Sequence, residues 1–505
     1  MDFSVLLAFL ALSIGLAAPH ARADARLPKF FSSHMVLQRD MPIHIWGEAA
    51  PGEQVEVSLE TATASARGNK LGRWSVYLPA RPAGGPFTLR IHASNTLQLD
   101  DILVGDLWMA SGQSNMELPL KGYNPTTQVK DSAKEIAQAN YPQIRLFLVP
   151  HDVSDYPLAD VKASKGWSIC SPESVTDFSA VAYFFGRAIQ QKEGIPLGLI
   201  DASWGGSPAE AWTSMDTLSY DASLLPVFSN RASRMDAQAA AQHLDLTPAE
   251  GSAQNKPVPP EHQWHPGEVS WRPAGLYNAM ISPFTPLPIR GVIWYQGESN
   301  AQPNLVKLYH RLFPALIEDW RNQWRQADLP FLFVQLSAYQ SEATHNWGLL
   351  REAQREALQL TNTGMAVTID IGEEHSVHPA NKQTVGDRLA LLARSIVYKE
   401  AIVSSGPLFR LAYPDGNSMH VWFENGAGLT AVGAPGAFEV AGPDGVFSPA
   451  NARIDGNTVT VSSPSVPEPR FVRYAWANYP PADRPANLYN GAGLPAAPFT
   501  SDPTL

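Results

Sequence analysis

From Leu27 to about Leu103, apolar and polar positions alternate in short runs: Pro42-Ile43-His44-Ile45-Trp46-Gly47, Gln54-Val55-Glu56-Val57-Ser58-Leu59, Trp74-Ser75-Val76-Tyr77-Leu78. A period of two places every second side chain on one face, as in a half-buried strand. Turn clusters such as Ala50-Pro51-Gly52-Glu53 and Ala83-Gly84-Gly85-Pro86 separate the runs. Residues 24–104 are therefore expected to form an antiparallel β-sandwich-like module. From Gly105 to Lys399 the texture changes. Continuous apolar runs (Ile144–Leu148, Leu197–Ile200, Gly291–Tyr295, Phe331–Val334) alternate with helical stretches at Val181–Lys192 and Trp347–Leu358. That alternation predicts an α/β domain over residues 105–405, a parallel sheet flanked by helices. Within it, residues 209–273 hold no strand-like run. They carry an alanine-rich helical piece at Arg231–His243 and a proline-rich stretch at Lys256–His265. An insertion at the active-site rim, with a lid as one role for it, is expected there. Alternation returns in Met419–Phe423 and Thr458–Val461, so residues 406–505 are expected to form a second β module.

Composition adds bounds. A chain of 505 residues is too long for one ordinary core. A net charge of −11 argues against nucleic acid or an anionic membrane as partner. It also opposes capture of an acidic sugar unless local Arg or Lys residues override it. Val5–Ala18 is an apolar run ending near Ala21-Arg22-Ala23, a small-x-small pattern. Residues 1–23 are thus predicted to be a secretory signal, although the segment before the run carries Asp2 and no Lys or Arg. The run is short for a membrane span, the alternative reading. Cys170 is the only cysteine, so no intrachain disulfide forms. Export without disulfides favours a periplasmic or secreted bacterial location.

Three segments carry candidate chemistry. In Trp108-Met109-Ala110-Ser111-Gly112-Gln113-Ser114-Asn115-Met116, a serine follows an apolar run and a glycine turn. That setting exposes a nucleophilic hydroxyl and aims its own N–H at the same point. The second glycine of a lipase-type elbow is replaced by Met116, and a helix cap is the plainer role for Ser114. Downstream, Gly291–Tyr295 ends in Gln296-Gly297-Glu298-Ser299-Asn300, at the position where open α/β sheets hold ligands. Farther on, His378-Pro379 follows the apolar run Ala366–Ile371, placing a general base at a strand's carboxyl end.

These motifs and their order resemble the sialate O-acetylesterase family of the SGNH-hydrolase superfamily. The resemblance begins at Phe31-Ser32-Ser33-His34-Met35-Val36-Leu37-Gln38-Arg39 and the stretch from Trp46-Gly47 to Pro51-Gly52. It continues through Gly112–Met116, Asp201-Ala202-Ser203-Trp204-Gly205-Gly206-Ser207-Pro208-Ala209-Glu210-Ala211-Trp212, Trp294–Asn300 and His378-Pro379-Ala380-Asn381-Lys382-Gln383. It implies an SGNH-hydrolase-like fold and a carbohydrate O-acetylesterase acting on sialic acid or a related acetylated sugar. Ser114 is the implied nucleophile and His378 the base. The superfamily commonly carries Asp three residues before the histidine, where this chain has His375. The orienting carboxylate is then Glu298, Glu374 or Asp370, with Glu298 favoured by similarity to carbohydrate esterases, or else a Ser–His dyad operates. The implied oxyanion donors are the amides of Ser114 and of Gly205 or Gly206, with the Gln296 side chain and Asn300 in reserve. Gln113, Asn115, Trp204 and Asn300 are expected at the substrate. Trp212 and Tyr295 fit either a sugar ring or the core, and Arg351 either a substrate carboxylate or a solvated helix face. No metal ligand set and no cofactor motif is evident. The alternatives are an acetyl xylan or pectin esterase and a glycan-binding protein without turnover. A histidine base also predicts that activity falls in acid, near the unperturbed pKa of about 6.5.

Overall fold

The computed structural model describes residues 24–233, 268–342 and 344–504. The expected signal segment and most of the expected insertion, including the Lys256–His265 stretch, lie outside them. The fold is mixed α/β. Seven strands run across the central part of an eleven-stranded sheet in the order Thr363–Ala366, Phe331–Val334, Gly291–Tyr295, Thr96–Gly112, Leu197–Ser203, Tyr141–Leu148, Ser168–Cys170. All neighbours are parallel except the last pair. The strands expected at Gly291–Tyr295 and Phe331–Val334 form at those bounds. Every residue in both is buried, as a parallel sheet buried on both faces requires. The Ala180–Glu193 helix packs on the Lys382–Ile396 helix and on the strands beside it, and Val306–Trp324 packs on Trp347–Glu356.

One apolar run is not the strand it suggests. Residues 366–371 hold only the last residue of the Thr363–Ala366 strand, followed by a 3-10 turn at Ile369–Ile371. Thr368 leaves the extended region at φ −132°, ψ 18°, and its hydroxyl donates to the Gln335 carbonyl at 2.6 Å.

The register of three neighbouring strands positions the site. Gly112 lies opposite Ser203 on one side and Tyr295 on the other. The chain therefore leaves the sheet at the same level three times, and the residues just beyond each end meet. Gly112 makes this approach possible. Its φ is +137°, and a Cβ there would stand 2.1 Å from the Tyr295 carbonyl oxygen, which only glycine permits.

The strand that carries Gly112 is 17 residues long, Thr96–Gly112. Its first half pairs antiparallel with Gly84–His92 in the N-terminal region and its second half is the centre of the parallel sheet. The boundary read at residues 104 and 105 thus falls inside one strand. At the C-terminal end, the chain forms two four-stranded antiparallel sheets and a two-stranded one. Arg351 ties this part to the core. Fully buried, it donates to the carbonyls of Leu336, Ser337, Ala477 and Asn478, each at 2.9 Å. It is neither at a substrate nor on a solvated face, which corrects both sequence expectations: a cradle of backbone carbonyls satisfies the guanidinium.

Candidate active site

Ser114 opens a one-turn helix, Ser114–Glu117, directly after Gln113. His378 lies in the loop before the Lys382–Ile396 helix. The two meet: His378 Nε2 is 2.8 Å from Ser114 Oγ. Both are nearly buried, 8% and 6% exposed. Burial, with the Lys382 ammonium nearby, pushes the His378 imidazole down to about 3. A neutral ring with a free lone pair toward the hydroxyl is the form a general base needs. The His378 backbone is fixed from two sides. Its N–H donates to Ser376 Oγ at 3.2 Å, and the hydroxyl donates to the His378 carbonyl at 3.0 Å. The preceding carbonyl, that of Val377, accepts from Asn115 Nδ2 at 2.9 Å.

Asn115 joins the remaining pieces. The same Nδ2 donates to Glu298 Oε1 at 2.5 Å, and its Oδ1 accepts from Lys382 Nζ. Lys382 is fully buried and Glu298 partly so. Burial pushes the Glu298 carboxyl above the usual carboxylate range, against the Asn115 hydrogen bond and the Lys382 charge. Burial also pushes the Lys382 ammonium down to about 7, with Glu298 opposing. Of the three carboxylates weighed for His378, Asp370 is held by Arg388 at 2.6 and 2.7 Å. Glu374 stands at the surface near His375, and Glu298 meets Asn115 while its Oε2 has no hydrogen-bond partner among the described residues.

Several polar residues expected to face substrate turn inward instead. Gln113 is 3% exposed, and its Oε1 accepts from the amides of Gly297 and Ser299 at 3.3 and 3.1 Å and from Gln296 Nε2 at 3.2 Å. It braces the Ser114 turn against the Gln296–Asn300 segment. The Gln296 amide nitrogen also donates to Asn300 Oδ1 at 2.7 Å, and its oxygen accepts from Tyr309 at 3.0 Å. Asn300 completes the set by donating to Glu210 Oε2 at 2.9 Å. With the Gln113 oxygen and both ends of the Gln296 and Asn300 amides engaged inside the protein, the three act as braces, and Gln296 is corrected from an oxyanion donor to a brace. Trp212 and Tyr295 are core residues, with Trp212 edge-on to Trp294 at 6.3 Å.

The loop after Ser203 passes beside Ser114. A Cβ on Gly205 would stand 3.4 Å from Ser114 Cβ. Among the described residues, no backbone carbonyl takes the amide of Ser114 or of Gly206, whereas the Gly205 amide donates to Glu117 Oε2 at 2.5 Å. Trp204 is half-buried and stacks on His151 at 4.1 Å and 5°. Tyr123 presents its ring edge-on to His378 at 5.9 Å, and its hydroxyl donates to the Ser114 carbonyl at 3.0 Å. Sequence reasoning passed over Glu117, Tyr123, His151 and the role of Lys382. Only the three-residue spacing of Ser114 and Glu117, which puts both on one helix face, was a signal for any of them. Among the described residues no cluster of three His, Cys, Asp or Glu forms a metal site, and no helix is long and apolar enough to cross a membrane.

A family model described as carbohydrate esterase, sialic acid-specific acetylesterase, matches residues 261–394. The chain is 30% identical to the sialate O-acetylesterase of Mus musculus over 97% of this chain and 96% of that one. It is 32% identical to that of Homo sapiens over 76% and 73%. A crystal structure of a carbohydrate acetylesterase from Xanthomonas citri superposes with a TM-score of 0.82 at 36% identity, covering 95% of this chain and all of that one. End-to-end likeness of sequence and of fold agrees with the motifs, and the chain belongs to the sialate O-acetylesterase family of carbohydrate esterases.

Proposed function

We propose that this protein is an exported carbohydrate O-acetylesterase that removes acetyl groups from sialic acid or a related acetylated sugar through a serine nucleophile. The observation that carries the reading is the 2.8 Å contact between Ser114 Oγ and His378 Nε2, formed by residues 264 positions apart at the carboxyl edge of a parallel sheet. In this reading His378 takes the Ser114 proton as Oγ attacks the acetyl carbonyl. The amide of Ser114 and the Gly205-Gly206 loop receive the oxyanion. The tetrahedral intermediate collapses, His378 returns the proton to the departing sugar hydroxyl, and acetyl-serine remains. Water, deprotonated by the same imidazole, then releases acetate and restores the serine.

Glu298 acts on His378 at one remove in this reading. Its carboxylate holds Asn115, and Asn115 holds the Val377 carbonyl. It is a positioning residue for the histidine loop, so Glu298→Gln should lower kcat less than Ser114→Ala does. The test is acetate release from 4-nitrophenyl acetate, O-acetylated sialic acid and acetylated xylan. Ser114→Ala should lose at least about a thousandfold in kcat. Undiminished turnover in that variant would overturn the serine mechanism. Preference for xylan over sialic acid would move the substrate assignment to plant polysaccharide, and sugar binding without acetate release would favour a glycan-binding role.

A further inference from the structure

Glu117 stands where an esterase has least use for a negative charge. Its Oε2 accepts from the Gly205 amide at 2.5 Å and, at 3.2 Å, shares the single Tyr123 hydroxyl proton with the Ser114 carbonyl. Its Oε1 lies 3.1 Å from His151 Nε2, which is also 3.1 Å from the Ser203 carbonyl. A carboxylate on an amide beside the nucleophile opposes an oxyanion there, unless the charge is balanced and the amide serves another purpose. Both conditions are met. Burial pulls the His151 imidazole down, but the hydrogen bond and charge of Glu117 outweigh it and raise it above its ordinary value. His151 thus stands where its proton, held more firmly than on a free imidazole, offsets the Glu117 charge. The other titratable group facing the pair is Asp201, buried and bonded to Ser203 Oγ at 2.5 Å, while Glu298 faces Tyr123. The neighbouring Gly206 amide is taken by no backbone carbonyl among the described residues, while the Gly206 carbonyl is fixed by Ser299 Oγ at 2.8 Å.

We propose that Glu117 is a positioning residue for the acyl site: by engaging the Gly205 amide, with His151 and Tyr123 holding its carboxylate, it sets the loop so that Gly206 supplies the second oxyanion N–H. The proposal rests on the acetylesterase reading and adds the division of labour between the two glycines. Glu117 touches no reacting atom. It orders Trp204 through His151, whose ring lies flat on the indole, and so fixes the aromatic wall and the donor together.

The experiment compares Glu117→Ala and Glu117→Gln with the wild type and with Ser114→Ala on 4-nitrophenyl acetate. A carboxamide oxygen still accepts from the Gly205 amide, so Glu117→Gln should stay within about threefold of wild-type kcat. Glu117→Ala removes the acceptor and should lose about tenfold to a hundredfold in kcat, with KM within about twofold, the pattern of a loss confined to the transition state. If Glu117→Ala does not fold, Glu117→Asp, one methylene too short to reach the amide, carries the same expected loss. Wild-type kcat in the Ala or Asp variant overturns the proposal. A faster Glu117→Ala enzyme also overturns it, since the carboxylate would then be obstructing the acyl site. Equal damage in the Gln and Ala variants shows that charge rather than the acceptor matters, which overturns it too. Activity retained in Ser114→Ala overturns the serine reading and this proposal together, whereas a dead Ser114→Ala beside an unaffected Glu117→Ala overturns this proposal alone.

Discussion

The pH behaviour of the site is decided by the surroundings of one imidazole. From the sequence, a histidine base predicts an acid limb near pH 6.5. Burial and Lys382 push His378 down to about 3, so the ring stays neutral and able to accept a proton far into acid. The sign is direct: a lowered pKa moves the acid limb to lower pH. The rate kcat/KM on a neutral ester should therefore hold nearly constant between pH 5 and 6.5 with respect to this group, and a limb at 6.5 would contradict the environment described. Lys382→Met removes the charge that disfavours imidazolium, so its acid limb should move upward from that of the wild type, whatever becomes of kcat. Ser114 and His378 were legible in the sequence because their chemistry is visible from residue type and strand position. The inward turn of Gln113, Gln296 and Asn300 was not. A carboxamide beyond a strand end reads the same whether its partners are a substrate or the protein's own amides, and only the side chain's direction separates them.

At the scale of elements, the parallel strands announced themselves because double burial forces uninterrupted apolar runs. The run ending at Ile371 misled for the same reason. Val367, Thr368 and Ile369 have strand chemistry, yet the ladder to Phe331–Val334 already ends at Ala366. What the elements contribute to function is a shared level at which three strands stop. Gly112 is the sensitive point of that arrangement, because its positive φ and the Tyr295 carbonyl leave no room for a methyl group. Gly112→Ala should cost at least about 2 kcal/mol and displace Ser114 from His378. Denaturant unfolding would measure the first, and labelling of the serine by a fluorophosphonate probe the second. Full stability with full labelling would show that the strand ends tolerate separation.

Across the whole molecule, the helix at Trp347–Glu356 does more than cover the sheet. Gly348 admits Trp476 so closely that a Cβ would stand 2.6 Å from its carbonyl oxygen, and Arg351 feeds carbonyls from both the core and the Ala475–Asn478 segment. Arg351→Met leaves those carbonyls buried and unpaired, at a cost of at least about 3 kcal/mol. A single urea transition shifted to lower concentration is the expected result; separate transitions would show that the C-terminal sheets unfold on their own. The intimacy of this packing was not readable, since a buried arginine without a carboxylate partner leaves no mark in sequence pattern. At the other end, the Thr96–Gly112 strand belongs to two sheets at once. Its first residues lie beside exposed polar positions and its last residues lead straight to Ser114. Such a strand is a keel rather than a hinge. A crossover at residue 104 would fall between the pairing to Gly84–His92, which ends at Val104, and the parallel ladders to Leu197–Ser203 and Gly291–Tyr295, which begin at Asp106, so any replacement module would have to supply the first half of this same strand.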